Sequence, residues 1–155
     1  MESFLQEAKA SSRVLATISG REKNRILSEM AQALRDQTAD LVKANALDMR
    51  EGEKNNLTSA LMDRLLLDES RIESMAVALE DIAALKDPVG RVLDGWITDD
   101  GLKMEKVSIP IGVIGIIYES RPNVTSDTAA LCFKSSNVWS ITIPLFTTCI
   151  IISCF

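Results

Sequence analysis

One short polar segment of this chain combines side chains that could do chemistry with a place to do it. Glu119-Ser120-Arg121-Pro122-Asn123 ends an apolar run, residues 111–118, and precedes a segment, 124–134, in which Ala129, Ala130, Leu131 and Phe133 are available for packing. Strand, polar turn and helix make a βα unit, and ligands of open α/β sheets sit at such turns. Arg121 is the natural candidate to meet a phosphate or a carboxylate, because a planar guanidinium engages either with two hydrogen bonds. The same arginine also suits a structural salt bridge tying the turn to the helix, and the sequence leaves both readings open.

Other chemistries are excluded by what the chain lacks. It contains no His, which removes the Ser-His-Asp triad, the Cys-His pair and every His-containing zinc site. Its three cysteines, Cys132, Cys149 and Cys154, match neither a CxxC redox pair nor a paired zinc knuckle. Cys132 sits in Ala-Leu-Cys-Phe on the inner face of a helix and reads as a packed small hydrophobe; no catalytic residue is assigned. An odd count without a disulfide framework argues for a reducing compartment. The amino terminus lacks the basic-then-apolar pattern of a signal peptide, so the expected location is cytoplasmic. Net charge is −5, and Lys and Arg never gather into a run, which argues against a nucleic-acid partner.

The elements that must position the turn follow from periodicity. The first ninety or so residues read as helices. Ser19 with Glu22 fits a capping box, and behind it Ile26, Met30, Ala33, Leu34 and Leu41 recur at roughly helical spacing. Asp68 is a candidate N-cap for a helix whose Ile72, Met75, Ala76, Leu79, Ile82 and Ala83 form one apolar stripe. A shorter helix is expected over 59–67. At Asp87-Pro88 the pattern changes. Residues 91–98 and 102–107, separated by Asp99-Asp100-Gly101, predict a β-hairpin. The run 111–118 lacks alternation, as expected of a strand buried on both faces of a sheet. The fold class expected is therefore α/β: a helical lead-in, a β-hairpin, and the start of a parallel sheet.

Beyond Lys134 the character breaks, for residues 135–155 carry no charge at all. Three readings compete for this apolar tail: a carboxy-terminal membrane anchor, a buried strand pair, or a product of a shifted reading frame or unspliced intron. Pro144 and the absence of polar residues beyond the apolar stretch weigh against the anchor.

The segment Pro110-Ile-Gly-Val-Ile-Gly-Ile-Ile-Tyr-Glu-Ser-Arg-Pro-Asn-Val-Thr125, followed by Asp127, Ala129-Ala130-Leu131-Cys132 and Lys134-Ser135, closely resembles the γ-glutamyl phosphate reductases, members of the aldehyde dehydrogenase superfamily. Leu61-Met62-Asp63-Arg64-Leu65, Asp87-Pro88-Val89-Gly90 and Lys106-Val107 agree as well. The resemblance implies NADPH-dependent reduction of γ-glutamyl phosphate to glutamate 5-semialdehyde in proline biosynthesis, through a cysteine thiolate and a thioester. It implies that Glu119, Ser120, Arg121, Pro122 and Asn123 line the cofactor and substrate cleft, and that the hairpin region contributes to association with like subunits. It covers residues 1–137, expected to be a partial amino-terminal cofactor-binding domain. It stops before 138–155, expected to be a tail unrelated to the family, with the catalytic domain and its nucleophile absent. A chain so truncated is expected to be inactive alone, and a non-catalytic interaction fragment or a tail-anchored membrane protein are the alternatives. One departure falls inside the match: where the family has Lys-Ser-Gly-Asn, this chain has Lys134-Ser135-Ser136-Asn137 and loses a glycine at a tight connection.

Overall fold

The structure is a computed structural model that describes residues 2–118 and 121–142. Five helices lead: α1 (Glu2–Leu15), α2 (Gly20–Asp36), α3 (Thr38–Lys54), α4 (Ser59–Leu65) and α5 (Glu69–Ala84). An antiparallel hairpin follows, β1 (Val92–Ile97) with β2 (Lys103–Val107), and then a βαβ unit of β3 (Val113–Ile117), α6 (Pro122–Lys134) and β4 (Val138–Thr142). β3 and β4 pair in parallel, with Val113 opposite Val138 and Ile117 opposite Thr142.

The core lies where α2, α5 and α6 meet. Ile72, Met75, Ala76, Leu79, Ile82 and Ala83 bury the full expected stripe of α5. On α2 the buried line is Lys23, Leu27, Ala31 and Leu34, with Ile26, Met30 and Ala33 only half-buried beside it. Of the expected stripe Leu34 and Leu41 are buried, while its earlier positions fall one residue off the buried line that a charged residue, Lys23, opens. Ser19 caps α2 by accepting from the Glu22 amide at 3.2 Å. The reciprocal half of the capping box does not form: the Glu22 carboxylate is taken by Arg25. Asp68 caps α5 through the Arg71 amide at 2.8 Å.

The expectation that 111–118 is buried on both faces is not met. Ile117 is 80% exposed and Gly115 is exposed too. Among the described residues β3 has a single neighbouring strand, β4, so too little sheet and too few helices are present to cover it. β4 begins one residue past the end of the family resemblance, and the first five residues of the apolar tail are therefore a strand. The rest of that tail lies outside the described residues, where the membrane-anchor reading falls. Among the described residues no helix is long and apolar enough to cross a membrane.

The substituted glycine has a structural counterpart. α6 ends in a Schellman arrangement, in which the Asn137 amide donates to Cys132 O at 2.8 Å and the Ser136 amide to Phe133 O at 3.0 Å. That geometry places Ser136 at φ +57°, the left-handed region that favours glycine. The serine offsets its strain with a contact a glycine lacks, since its buried hydroxyl accepts from Lys23 Nζ at 3.0 Å. Both Ser136→Ala and Ser136→Gly lose that bond, but only the alanine keeps the left-handed strain. Urea unfolding should therefore find Ser136→Gly more stable than Ser136→Ala by about 1–2 kcal/mol.

Candidate functional site

The turn into α6 is shaped by its proline. Pro122 occupies the first turn, where its missing N–H costs nothing and its fixed φ suits the helix. A residue before proline is pushed out of the helical region, and Arg121 is accordingly extended at φ −138° and ψ 97°. Arg121 supplies no side-chain cap, and the first turn of α6 carries no acidic residue. The positive end of a helix dipole is thus left without an internal counter-charge, a setting that favours an anion. Arg121 is exposed and forms no ion pair among the described residues, so the salt-bridge reading finds no partner there. Behind the turn, the Tyr118 and Thr125 hydroxyls share a hydrogen bond that ties the end of β3 to α6.

Beside this turn α5 and α6 enclose an open cleft of about 300 Å³, lined by Arg64, Arg71, Ser74, Met75, Pro122, Asn123 and Asp127 among others. Its α4–α5 wall is held by polar bonds. Buried Asn45 donates to Leu65 O at 2.9 Å and accepts from the Leu67 amide at 2.8 Å. Arg71 donates to Leu66 O at 2.9 Å and to the Asp63 carboxylate at 2.8 Å. On the α6 side Asp127 buries its Oδ1 with no hydrogen-bond partner among the described residues. Burial pushes its carboxyl above the ordinary aspartate value, and Ser126 and Asn123 offset this only in part.

The other end of α6 is fixed by a buried cationic cluster. Lys23 is 1% exposed, and its Nζ meets Asp87 Oδ2 at 2.6 Å, Lys134 O at 3.1 Å and Ser136 Oγ at 3.0 Å. Lys134 in turn donates to Ala83 O at 2.7 Å and to Asn24. Burial works against ionisation of Asp87, but the bonds from Lys23 and the Val89 amide and the charges of both lysines outweigh it, so its carboxyl lies below the ordinary value. Burial lowers the Lys134 ammonium, opposed by Asp87 and reinforced by Lys23. Asn137 completes the anchorage: its Oδ1 accepts from the Gly112 amide at 2.8 Å, joining the end of α6 to the start of β3.

Of the five residues expected in a cleft, Pro122 and Asn123 line this one, Arg121 stands exposed next to it, and Glu119 and Ser120 lie outside the described residues. Cys132 is buried, and burial pushes its thiol up. Cys149 and Cys154 lie outside the described residues. Sequence reasoning assigned no role to Arg64, Asp127, Lys23 or Asp87. For Arg64, Asp87 and Asp127 a signal existed, since each falls within a stretch that carries the family resemblance.

No family model matches the chain. Among curated proteins it is 79% identical over 138 residues to the γ-glutamyl phosphate reductase of Sulfurovum sp., a match covering 89% of this chain and 34% of that protein. It is 78% identical over 138 residues to the reductase of the same name from Sulfurimonas denitrificans, with the same coverage. Among solved structures, the γ-glutamyl phosphate reductase of Thermotoga maritima superposes with a TM-score of 0.85 at 39% identity, over 89% of this chain and 33% of that one. The Saccharomyces cerevisiae reductase gives 0.86 at 32% identity, over 92% and 36%. The chain spans about a third of the length of the curated relatives it matches.

The buried cluster makes a pH prediction. Asp87 has its folded-state pKa depressed, so its contribution is fully present above the unfolded value of about 3.9 and is lost as pH falls through the folded value. Asp87→Asn should cost about 3 kcal/mol at neutral pH, because it leaves the Lys23 charge buried without its counter-ion. Denaturation midpoints measured from pH 6 down to pH 2 should fall less steeply in Asp87→Asn than in the unsubstituted chain.

Proposed function

We propose that this chain, whose sequence and fold match the amino-terminal third of the γ-glutamyl phosphate reductases, supplies part of the cleft in which such an enzyme reduces γ-glutamyl phosphate for proline synthesis. The observation that carries this reading is the α6 amino terminus. It joins a helix dipole without acidic residues in the first turn to an arginine, Arg121, that no described residue neutralises. Those features fit the phosphate groups of either the acyl phosphate or NADPH. NADPH, when bound, supplies the hydride. The residues of this chain bind and orient: Arg121 and the positive end of the α6 dipole draw in the phosphate, and Pro122 fixes the direction of that helix. Arg71 and Asn45 hold the facing wall rigid, which preserves the distance the substrate must span.

The 155 residues taken alone bind without turnover, because Cys132, the one described thiol, is packed in the core with its thiolate disfavoured. A second reading, association with like subunits, is favoured by the hairpin. Every residue of β1 and β2 is exposed, and Leu93, Trp96, Ile97 and Met104 lie open on it. A two-stranded ribbon with that much uncovered apolar surface is suited to be covered by another chain.

Titration calorimetry should show NADPH or inorganic phosphate binding that weakens about tenfold in Arg121→Gln, the loss expected for one charge-assisted contact. Affinity unchanged by that substitution contradicts the proposed anion site. NADPH oxidation dependent on γ-glutamyl phosphate by these residues alone contradicts the assignment of binding without turnover.

A further inference from the structure

The far end of α6, at Lys134, stands about 18 Å from Pro122 at a helical rise of about 1.5 Å per residue, and a second open cleft lies there. It encloses about 560 Å³ where the end of α5, the base of the hairpin and the end of α6 meet, with Leu85, Lys86, Pro88, Arg91, Leu131 and Lys134 in its lining. Among the described residues no carboxylate lines it. Lys86 and Arg91 are exposed and form no ion pair among the described residues. Lys134 is 3% exposed, and its ammonium, a triple donor, has partners for two donors only, Ala83 O and Asn24 Oδ1. Asp87, the acid whose charge reaches Lys134, is taken by Lys23 at 2.6 Å. Lys23, Lys86, Arg91 and Lys134 thus gather around one carboxylate and the carboxy ends of α5 and α6, each worth roughly half a negative charge. About two positive charges are left over on that count, in a chain whose net charge is −5.

We propose that this cleft is a separate ligand site for a small oxyanion, carboxylate or phosphate ester, carried on an apolar body. The charged group accepts from Arg91, Lys86 and the unpartnered donor of Lys134, and the body covers Leu85, Pro88 and Leu131. Charge sets the first requirement, because a buried ammonium without its own counter-ion is costly and an anion beside it forms charge-assisted hydrogen bonds. The apolar lining sets the second: Leu85 and Leu131 are exposed, and a bare inorganic ion leaves both in water where a hydrocarbon body covers them. The guanidinium of Arg91 suits either head group, since its fork engages a carboxylate or a phosphate with two bonds. The inference stands apart from the reductase reading, for it uses the opposite end of α6 and none of the residues of the first cleft.

The experiment is residue-resolved NMR of the 155-residue chain titrated with benzoate, with phenyl phosphate and with benzamide, which keeps the ring and lacks the charge. Benzoate or phenyl phosphate should shift amides in residues 85–91 and 131–136, and benzamide should bind there about tenfold more weakly. The tighter of the two anions identifies the head group, and either one binding upholds the site. Arg91→Gln and, independently, Lys86→Gln change exposed side chains and should each weaken that anion by about tenfold. Arg121→Gln should leave the response of residues 85–91 and 131–136 unchanged, which separates this cleft from the amino end of α6. Benzamide binding as tightly as the anions, full affinity in both folded variants, or no shift at these residues with either anion overturns the proposal. The last outcome, seen together with phenyl phosphate shifts near Arg121, leaves the anion site at the amino end of α6 standing.

Discussion

A single buried ammonium, that of Lys23, sets the terms for the rest of this structure. An ammonium taken out of water loses several kcal/mol of solvation, which only an opposite charge and further acceptors can restore. Lys23 finds its counter-ion in Asp87 and its acceptors in Lys134 O and Ser136 Oγ, more than sixty residues away in the first case and more than a hundred in the others. Satisfying one side chain therefore requires α2, the link after α5 and the end of α6 to converge. Gly20 makes room for the convergence, because a Cβ there would lie 2.8 Å from Asp87 Oδ2.

From that junction the geometry passes along α6 to the site. The carboxy end of the helix is held by Lys23, Lys134 and Asn137, and its amino end by Pro122 and by the bond between Tyr118 and Thr125. With both ends fixed, the first turn of α6 and the buried Oδ1 of Asp127 keep a constant separation. The facing wall on α5 is fixed separately, through Asn45 and Arg71. Two rigid walls with polar groups facing the space between them are what a binding cleft needs.

Much of this was legible in the sequence, and the limits of legibility are physical. Local rules found the Ser19 and Asp68 caps, the α5 stripe, the hairpin around Gly101 and the βα turn, because each depends on residues a few positions apart. The glycine missing at Ser136 was visible as a departure, and its consequence, a left-handed serine, followed from helix-ending geometry. Lys23 was invisible for the opposite reason: a lysine on a helix reads as solvent-facing until its distant counter-ion is known. The first half of the α2 stripe was placed one residue off by that omission, while Leu34 was placed correctly. The burial of 111–118 was overread, since an apolar run reports the capacity of a strand to be covered and not the cover present. Asp127 and Arg64 gain meaning only once α4, α5 and α6 are assembled around one space.

The central claim is that the buried Lys23 contacts, and not general packing, hold α6 in place for the site. Residue-resolved amide hydrogen exchange on Lys23→Met tests it most directly, since methionine keeps the length and loses the charge. The account predicts protection falling along α6, residues 125–134, by about tenfold more than in the α2–α5 core, as expected for local release of one unit. Equal changes in all three helices, or undiminished protection of α6, would contradict it.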